Sequence, residues 1–163
     1  SMSNGVISVK PSIKLNNLSK PNTLIGNVAL YGATGGKVYI AGSAGERFAI
    51  RNSGASAVVE GIGNHGSEYM SRGTIINLGK IGKNFGAGMT GGVVYIFSKD
   101  RKLKNYINHD FVTEENLNEK DKSLILKNLN RHILYTGSSM AKKIKKNWSN
   151  NSNQFKKIIP KIF

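Results

Sequence analysis

The sequence contains no cysteine among its 163 residues. The chain therefore cannot contain a disulfide, a thiolate metal site, a cysteine-ligated iron–sulfur cluster or a cysteine nucleophile. It also lacks any run of about eighteen apolar residues, and no basic segment followed by an apolar stretch opens it, so we expect neither a membrane span nor a signal peptide. Ser1-Met2 is typical of a cloning remnant, and a piece cut from a longer protein would have lost any targeting sequence, so localisation stays open.

Acidic residues are scarce, with nine Asp and Glu against twenty-four Lys and Arg, and the net charge is +15. Residues 1–100 carry +6 and residues 101–163 carry +9. Such a basic chain could be a free-standing module that binds nucleic acid or anionic surfaces. Much of the excess is Lys among many Asn, a composition that AT-rich coding produces without selection for a partner. Nucleic-acid binding is therefore kept as the alternative hypothesis.

Internal repeats are the most informative feature of the sequence. Four segments share a glycine, a β-rich run and a closing small residue, and they span residues 36–42, 54–61, 73–79 and 92–98. Their ends are spaced by 19, 18 and 19 residues. A second series, Ile50, Met70 and Met89, is spaced by 20 and 19 residues. Because a repeat this short holds no helix and is too small for a propeller blade, it predicts a solenoid of strands.

The predicted fold class is mainly β, a right-handed parallel β-helix with a period of about 19 residues, a single-stranded solenoid with C-terminal helices. Its many glycines are expected to supply corner dihedrals that other residues adopt only with strain. We expect the β-helix over residues 3–100, a linker over 101–118, and a helical extension over 119–163 that packs on or beside the β-helix. A short stack exposes its end turn, so we expect these helices to cap it.

The helical extension is predicted from apolar spacing. Ile125, Leu129 and Ile133 recur at helical intervals, and Gly137 followed by Ser138 reads as a helix stop and a new N-cap. The lysine pairs at 142–143 and 145–146 surround Ile144, which is typical of a solvated face opposite an apolar stripe.

Two glycine motifs resemble phosphate-binding loops. Residues 86–91 spell G-x-G-x-x-G, but a β-rich run follows where the dinucleotide-binding motif needs a helix. Residues 32–37 resemble a P-loop but have Tyr31 in place of the first glycine and Val38 in place of the magnesium-binding Ser or Thr. We therefore interpret both as corner glycines.

Several polar residues within the repeats are candidates for a site. Glu60, His65 and Glu68 could ligate zinc, although turn glycines separate them and hydrogen bonds to the corner backbone explain them as well. Arg47, Arg51 and Arg72 lie near Glu46, Glu60 and Glu68 in the repeat register. They either form ion pairs along the ladder or point outward and bind carboxylates of a partner domain.

Features expected of a β-helix enzyme are missing from the repeats. The only carboxylates before residue 99 are Glu46, Glu60 and Glu68, and none has a second carboxylate beside it in the sequence, as a glycosidase site would need. No nucleophile-elbow sequence accompanies the three histidines, and His132 on the helix is expected to be a partly buried packing residue. We therefore predict no catalytic, cofactor-binding or metal-binding residue in this chain.

Five stretches together resemble one family, the glycine-repeat (GXGXG) β-helix domain that ends the large subunit of glutamate synthase. They are LYGATGGK (30–37), AGERFAIRNSGA (44–55), VVEG (58–61), HGSEYM (65–70) and GKNFGAGMTGG (82–92). The resemblance covers roughly residues 24–98, and the helical tail is similar as well. Two departures are Asn64, where the family has Asp, and Ser67, where it usually has Cys. A related fold occurs in a subunit of formylmethanofuran dehydrogenase, so the fold alone does not define the parent protein.

The resemblance implies a domain of a flavoenzyme that makes two glutamates from glutamine and 2-oxoglutarate, with electrons from a nicotinamide cofactor or ferredoxin. FMN, an iron–sulfur cluster and the nucleophilic cysteine belong to other domains of that enzyme, which works in the cytoplasm or in a plastid-like compartment. This chain would be an inactive spacer between the amidotransferase and synthase domains, and a small reductase subunit or region is a further partner. Nine residues are expected to form corners or interdomain contacts: Arg47, Arg51, Asn52, Glu60, His65, Glu68, Tyr69, Arg72 and Asn84.

Overall fold

A computed structural model describes residues 1–12, 23–99 and 101–162 of the chain. Nine strands and three α-helices are found in these residues, together with 3₁₀ helices at Arg101–Asn105 and Ser152–Gln154. In chain order they are β1 (Val6–Val9), β2 (Thr23–Ile25), β3 (Lys37–Ile40), β4 (Ser43–Ala44), β5 (Ser53–Val59), β6 (Arg72–Asn77), β7 (Val93–Phe97), β8 (Val112–Glu115), α1 (Glu119–Thr136), α2 (Ser139–Lys146), α3 (Trp148–Asn151) and β9 (Phe155–Pro160).

The main sheet stacks successive turns of a solenoid. Strands β1, β3, β5, β6 and β7 pair in this order and all run parallel. Val38 lies opposite Ala57, which lies opposite Ile75, which lies opposite Val94, so neighbouring turns are 19, 18 and 19 residues apart. A second ladder pairs β2 with β4 and continues through bridges to Ile62 and Ile81. The chain is therefore a parallel β-helix of about four turns, and the predicted fold and period are confirmed.

The main sheet buries both of its faces, which explains why its strands are almost continuously hydrophobic. Inside the solenoid, Val38, Ala57, Ile75 and Val94 pack with large side chains from other parts of each turn, including Phe48, Met70, Phe85 and Met89. On the outer face, four residues form a second core with α1 and α2; they are Tyr39, Val58, Ile76 and Tyr95. The described helices include none that is long and apolar enough to cross a membrane.

Several glycines allow close approach between turns, which differs from the expected role in corner dihedrals. Gly54, Gly79 and Gly91 have ordinary φ values, yet a Cβ added to any of them would overlap a carbonyl oxygen of the preceding turn. For Gly79 that oxygen belongs to Glu60. Glycine is required at these positions because backbone meets backbone at the distance of strand pairing.

Residues 101–118, expected to be a linker, close the last turn of the solenoid. Leu103, Ile107 and Val112 are buried in the inner core. The Phe85 N–H donates to the Tyr106 carbonyl at 2.9 Å, and the Asn108 N–H donates to the Phe85 carbonyl at 2.7 Å. The helices were expected to cap the end of the stack, but they pack against its side, and this segment covers the end instead.

Helix α1 begins and ends as predicted, but the extension predicted to be helical over residues 119–163 ends in a strand. Asn118 and Asp121 form a capping box at the start of α1, and Gly137 ends the helix with φ 68°. Ser138 then caps α2 by accepting the Ala141 N–H. The final segment is a strand: β9 pairs antiparallel with β7 and with β8, so two antiparallel strands complete the sheet. Met2, expected to be part of a cloning remnant, packs against the inner core.

Asp121 joins α1 to the sheet. Its carboxylate accepts the Tyr95 hydroxyl at 2.6 Å and the Asn118 N–H at 2.9 Å, and it pairs with the Lys157 ammonium at 3.2 Å. Burial raises the pKa of Asp121, but the hydrogen bonds from Tyr95, Asn118 and Lys157 together lower it by more. Its pKa therefore lies below the ordinary value. Burial and the adjacent Asp121 carboxylate raise the pKa of Tyr95.

We expect Gly79→Ala to lower the free energy of unfolding by about 1–3 kcal/mol or more, because the new methyl group overlaps the Glu60 carbonyl. Gly26→Ala is the matched control: no atom lies within 4 Å of an added Cβ there, so stability should be unchanged or rise by about 0.4–1 kcal/mol. Urea unfolding followed by circular dichroism measures both. Equal midpoints for the two variants would contradict the close-approach role.

Asp121→Asn should lower stability at pH 7 by about 1.5–3 kcal/mol, because charge-assisted hydrogen bonds are lost. The folded-state pKa of Asp121 lies below its unfolded value, so its stabilisation is present above the unfolded pKa of about 4 and is lost as pH falls through the folded pKa. The difference between variant and wild type should therefore shrink below about pH 4. Glu119→Gln, at an exposed carboxylate in the same helix turn, is the control, and a pH-independent difference for Asp121→Asn would refute the linkage.

Candidate interdomain surface

One corner of the solenoid has the same unusual backbone in all four turns. At alternate positions, three residues of each turn have φ between 53° and 76°. The four sets are Val28, Leu30 and Gly32; Arg47, Ala49 and Arg51; His65, Ser67 and Tyr69; and Asn84, Gly86 and Gly88. We call residues 27–32, 46–51, 64–69 and 83–88 the corner face. Nine of these twelve positions hold a residue other than glycine, which the sequence analysis did not anticipate.

Hydrogen bonds between turns hold this backbone in place. The Arg47 N–H donates to the Asn64 carbonyl at 2.8 Å, and the Arg51 N–H donates to the Glu68 carbonyl at 2.9 Å, both in the next turn. Ala49, between them, donates to the previous turn. The third turn repeats the arrangement from His65 to Tyr69. A left-handed residue other than glycine costs about 1–2 kcal/mol, and this regular ladder is what offsets it.

The carboxylates of the corner face form hydrogen bonds with other side chains of the same face. His65 Nδ1 lies 2.7 Å from Glu68 Oε1, and Asn84 Nδ2 donates to the same oxygen at 3.1 Å. Asn108 Nδ2 donates to Asn84 Oδ1 at 2.7 Å, which extends the network to the segment that closes the stack. Glu46 Oε1 accepts Asn64 Nδ2 at 3.2 Å. Three predicted site residues, His65, Glu68 and Asn84, therefore form one network.

The three arginines that the sequence analysis singled out form no ion pair with a described residue. Arg47, Arg51 and Arg72 are all exposed, and within the described part of the chain none of them forms an ion pair. Of the two alternatives, ion pairs along the ladder or outward-pointing guanidinium groups, this geometry favours the second. Arg51 Cζ lies 5.7 Å from the centre of the Tyr69 ring, a cation–π contact on the surface.

Asn52 and Glu60 have internal roles. Asn52 is fully buried, and its side chain accepts the Ala55 N–H at 3.0 Å and donates to the Ala55 carbonyl at 2.9 Å. Glu60 points outward beneath the junction of α1 and α2, where Ser138 Oγ donates to Oε1 at 2.6 Å. His132 Nε2 lies 3.9 Å from Glu60 Oε2, too far for a hydrogen bond.

The three residues considered as zinc ligands, Glu60, His65 and Glu68, do not lie together in the structure. Glu60 contacts the helical extension, whereas His65 and Glu68 face each other on the corner face. Among the described residues, no group of three His, Asp or Glu side chains could hold a metal ion. His132, expected to be partly buried, is fully buried, and neither ring nitrogen has a hydrogen-bond partner among the described residues.

Sequence reasoning missed the link between Glu60 and Ser138. In the strand register, Glu60 occupies the position of Ala41, Leu78 and Phe97 in the neighbouring turns of the main sheet, so it interrupts an apolar row. That mismatch is a signal that a polar partner covers it. The G-x-G-x-x-G motif has its predicted context: Gly86 and Gly88 lie on the corner face, and β7 follows Gly91.

The fold and the corner define a class, a parallel β-helix whose corner repeats left-handed residues at alternate positions in each turn. A family model described as the GXGXG motif matches residues 1–161, and the chain belongs to that family. It is 48% identical over 164 residues to the glutamate synthase [NADPH] large chain of Bacillus subtilis. The matched region covers 99% of this chain and 11% of that protein.

Other relatives carry similar names and are similarly long. The ferredoxin-dependent glutamate synthase of Antithamnion sp. is 44% identical over 98% of this chain and 10% of its own length. The glutamate synthase [NADH] of Schizosaccharomyces pombe is 43% identical over 87% of this chain and 7% of its own length. The chain thus spans about a tenth of the length of these relatives. The resemblance that the glycine-rich stretches indicated is confirmed.

Glu68→Ala should lower the free energy of unfolding by about 1–3 kcal/mol, because His65 and Asn84 lose their common acceptor in a half-buried setting. Glu46→Ala removes the other acidic side chain of the corner face, which is exposed, and should change stability by less than about 0.5 kcal/mol. Thermal unfolding of both variants measures the difference. If Glu68→Ala proved as stable as Glu46→Ala, the network would have no structural role.

Proposed function

We propose that the chain is a non-catalytic domain of a glutamate synthase that holds the amidotransferase and synthase domains in fixed positions. The observation that carries the proposal is the identity of 42–48% to glutamate synthase large chains over nearly the whole chain. The parent enzyme would convert glutamine, 2-oxoglutarate and reductant to two glutamates. FMN, the iron–sulfur cluster and the catalytic cysteine would lie in its other domains, since a chain without cysteine cannot supply cysteine ligands or a cysteine nucleophile.

The architecture suits a spacer. Every turn of the stack is bonded to its neighbours by strand ladders and by the corner ladder, and two separate cores fill the inside and the outer face of the main sheet. Such a body transmits position without bending, because packed interiors have low compressibility. The amidotransferase and synthase domains would contact its outer surfaces, so that ammonia released in one reaches the other without leaking. A small reductase subunit or region would be a further partner of the assembled enzyme.

Breaking the spacer should uncouple the two half-reactions of the whole enzyme. In the full-length polypeptide, we expect Gly79→Ala to lower glutamine-dependent glutamate synthesis severalfold, while ammonia-dependent synthesis and glutamine hydrolysis fall less. Gly26→Ala is the control and should leave all three rates unchanged. The measurement is the ratio of glutamine consumed to glutamate formed. A folded Gly79→Ala enzyme with an unchanged ratio would contradict the spacer role.

The rival hypothesis, a free-standing basic module, has one supporting observation: α2 exposes Lys142, Lys143, Lys145 and Lys146. An immunoblot of cell lysate with an antibody to this chain separates the two. The spacer role requires a band several times larger than 17.7 kDa, whereas the rival requires a band at that mass and an affinity for nucleic acid that falls steeply with salt.

A further inference from the structure

The third left-handed position of each turn forms a column along the corner face. It holds Gly32, Arg51, Tyr69 and Gly88 in successive turns. Glycine adopts this backbone without strain, and two of the four turns use it. The two central turns instead carry large side chains, at a cost of about 1–2 kcal/mol each. A strained backbone at a large, exposed side chain motivates a hypothesis about what that side chain contacts.

Arg51 and Tyr69 form a cation–π pair on this column. The guanidinium group of Arg51 lies 5.7 Å from the centre of the Tyr69 ring. The Tyr69 ring in turn lies over Gly88, so closely that a Cβ on Gly88 would overlap it. The contact with the ring restricts the Arg51 side chain before any ligand arrives. Tyr69 remains 57% exposed, so the pair lies on the surface formed by the described residues.

The charges around the Arg51–Tyr69 pair are mostly positive. Arg47 stands four residues before Arg51, and both are exposed and lack an ion pair within the described chain. The two carboxylates of the corner face, Glu46 and Glu68, are bonded to Asn64, His65 and Asn84. The surface therefore offers guanidinium donors and no free acceptor of like strength. Its apolar part consists of Tyr69, Tyr31 at 53% exposure and Val28 at 41%.

We propose that Arg47, Arg51 and Tyr69 form a docking site for an acidic segment of the same polypeptide, with Arg51 binding an Asp or Glu carboxylate. The inference rests on the proposed function, which places the chain within a longer protein, and it names the surface and the chemistry of one contact. Arginine and tyrosine are enriched among the few residues that dominate the binding energy of protein interfaces, and an arginine binds a carboxylate through two parallel hydrogen bonds. A rigid base adds affinity, because little entropy is lost when its side chains become ordered.

The test uses the full-length polypeptide and the variant R51K. The ammonium that R51K introduces can be joined by a carbodiimide to a carboxylate in direct contact, and mass spectrometry then identifies the linked peptide. We expect a link from position 51 to an Asp or Glu outside residues 1–163. Lys143, exposed on α2, is the internal control and should give no such link to the same peptide.

A second readout does not depend on the introduced lysine. Hydrogen exchange in R51Q should rise about tenfold or more in one acidic segment outside this chain, and K143Q, with the same change in charge, should leave that segment unchanged. Absence of both the link and the exchange change would overturn the docking site. A link to residues 1–163 only, or to a second copy of the chain, would overturn it as well.

The docking site and the spacer role fail separately. If Gly79→Ala uncouples the enzyme but R51K forms no external link and R51Q changes no exchange outside this chain, the spacer role stands and this surface is not its contact. If the immunoblot shows a 17.7 kDa protein, the proposed function itself is wrong, whatever the chemistry of Arg51.

Discussion

The structure depends on backbone hydrogen bonding between turns that are 18 or 19 residues apart. Each turn must place strand on strand and corner on corner. Inserting one residue would therefore move the side chains of the following strand to the opposite face of the sheet. Gly54, Gly79 and Gly91 follow from this constraint, because the neighbouring carbonyl leaves no room for a side chain. The corner backbone follows as well, since its alternating φ values direct N–H groups up and down the stack in turn.

The repeat of about 19 residues predicted most of the fold. Strand pairing, register and the α1 and α2 boundaries followed from glycine spacing and from apolar stripes such as Ile125 and Leu129. The closing segment could not be predicted, because Leu103, Ile107 and Val112 do not continue the repeat of about 19 residues and are buried by tertiary contacts alone. The helices do pack beside the β-helix, as one of the expected arrangements, but the expectation that they cap its end was wrong. The outer face of β3 to β7 is as apolar as the inner face, and the sequence does not show which elements cover it.

The nine polar residues that the sequence singled out fall into different environments in the structure. Asn52 and Glu60 are buried and bond to nearby backbone and to Ser138, whereas Arg51 and Tyr69 form a cation–π pair on the surface. This grouping could not be predicted from the sequence. Left-handed backbone at arginine and tyrosine leaves no mark in a sequence, because only glycine and asparagine signal it by their identity. The strain is a property of the folded backbone, in which φ is 54° at Arg51 and 53° at Tyr69.

The balance between strain and repeat supports the proposed contact at Arg51 and Tyr69. A stack built only to be stable would place glycine at each third corner position, as it does at Gly32 and Gly88. Arg51 and Tyr69 lose about 1–2 kcal/mol each against that choice, and their mutual cation–π contact returns about 0.5–1 kcal/mol at an exposed site. The inter-turn hydrogen bonds of the corner would be the same for glycine, so they offset the strain without favouring arginine or tyrosine, and the cation–π contact alone does not make up the difference from glycine. A surface that is strained, rigid and unpaired in charge is what a contact with another part of a longer protein would require.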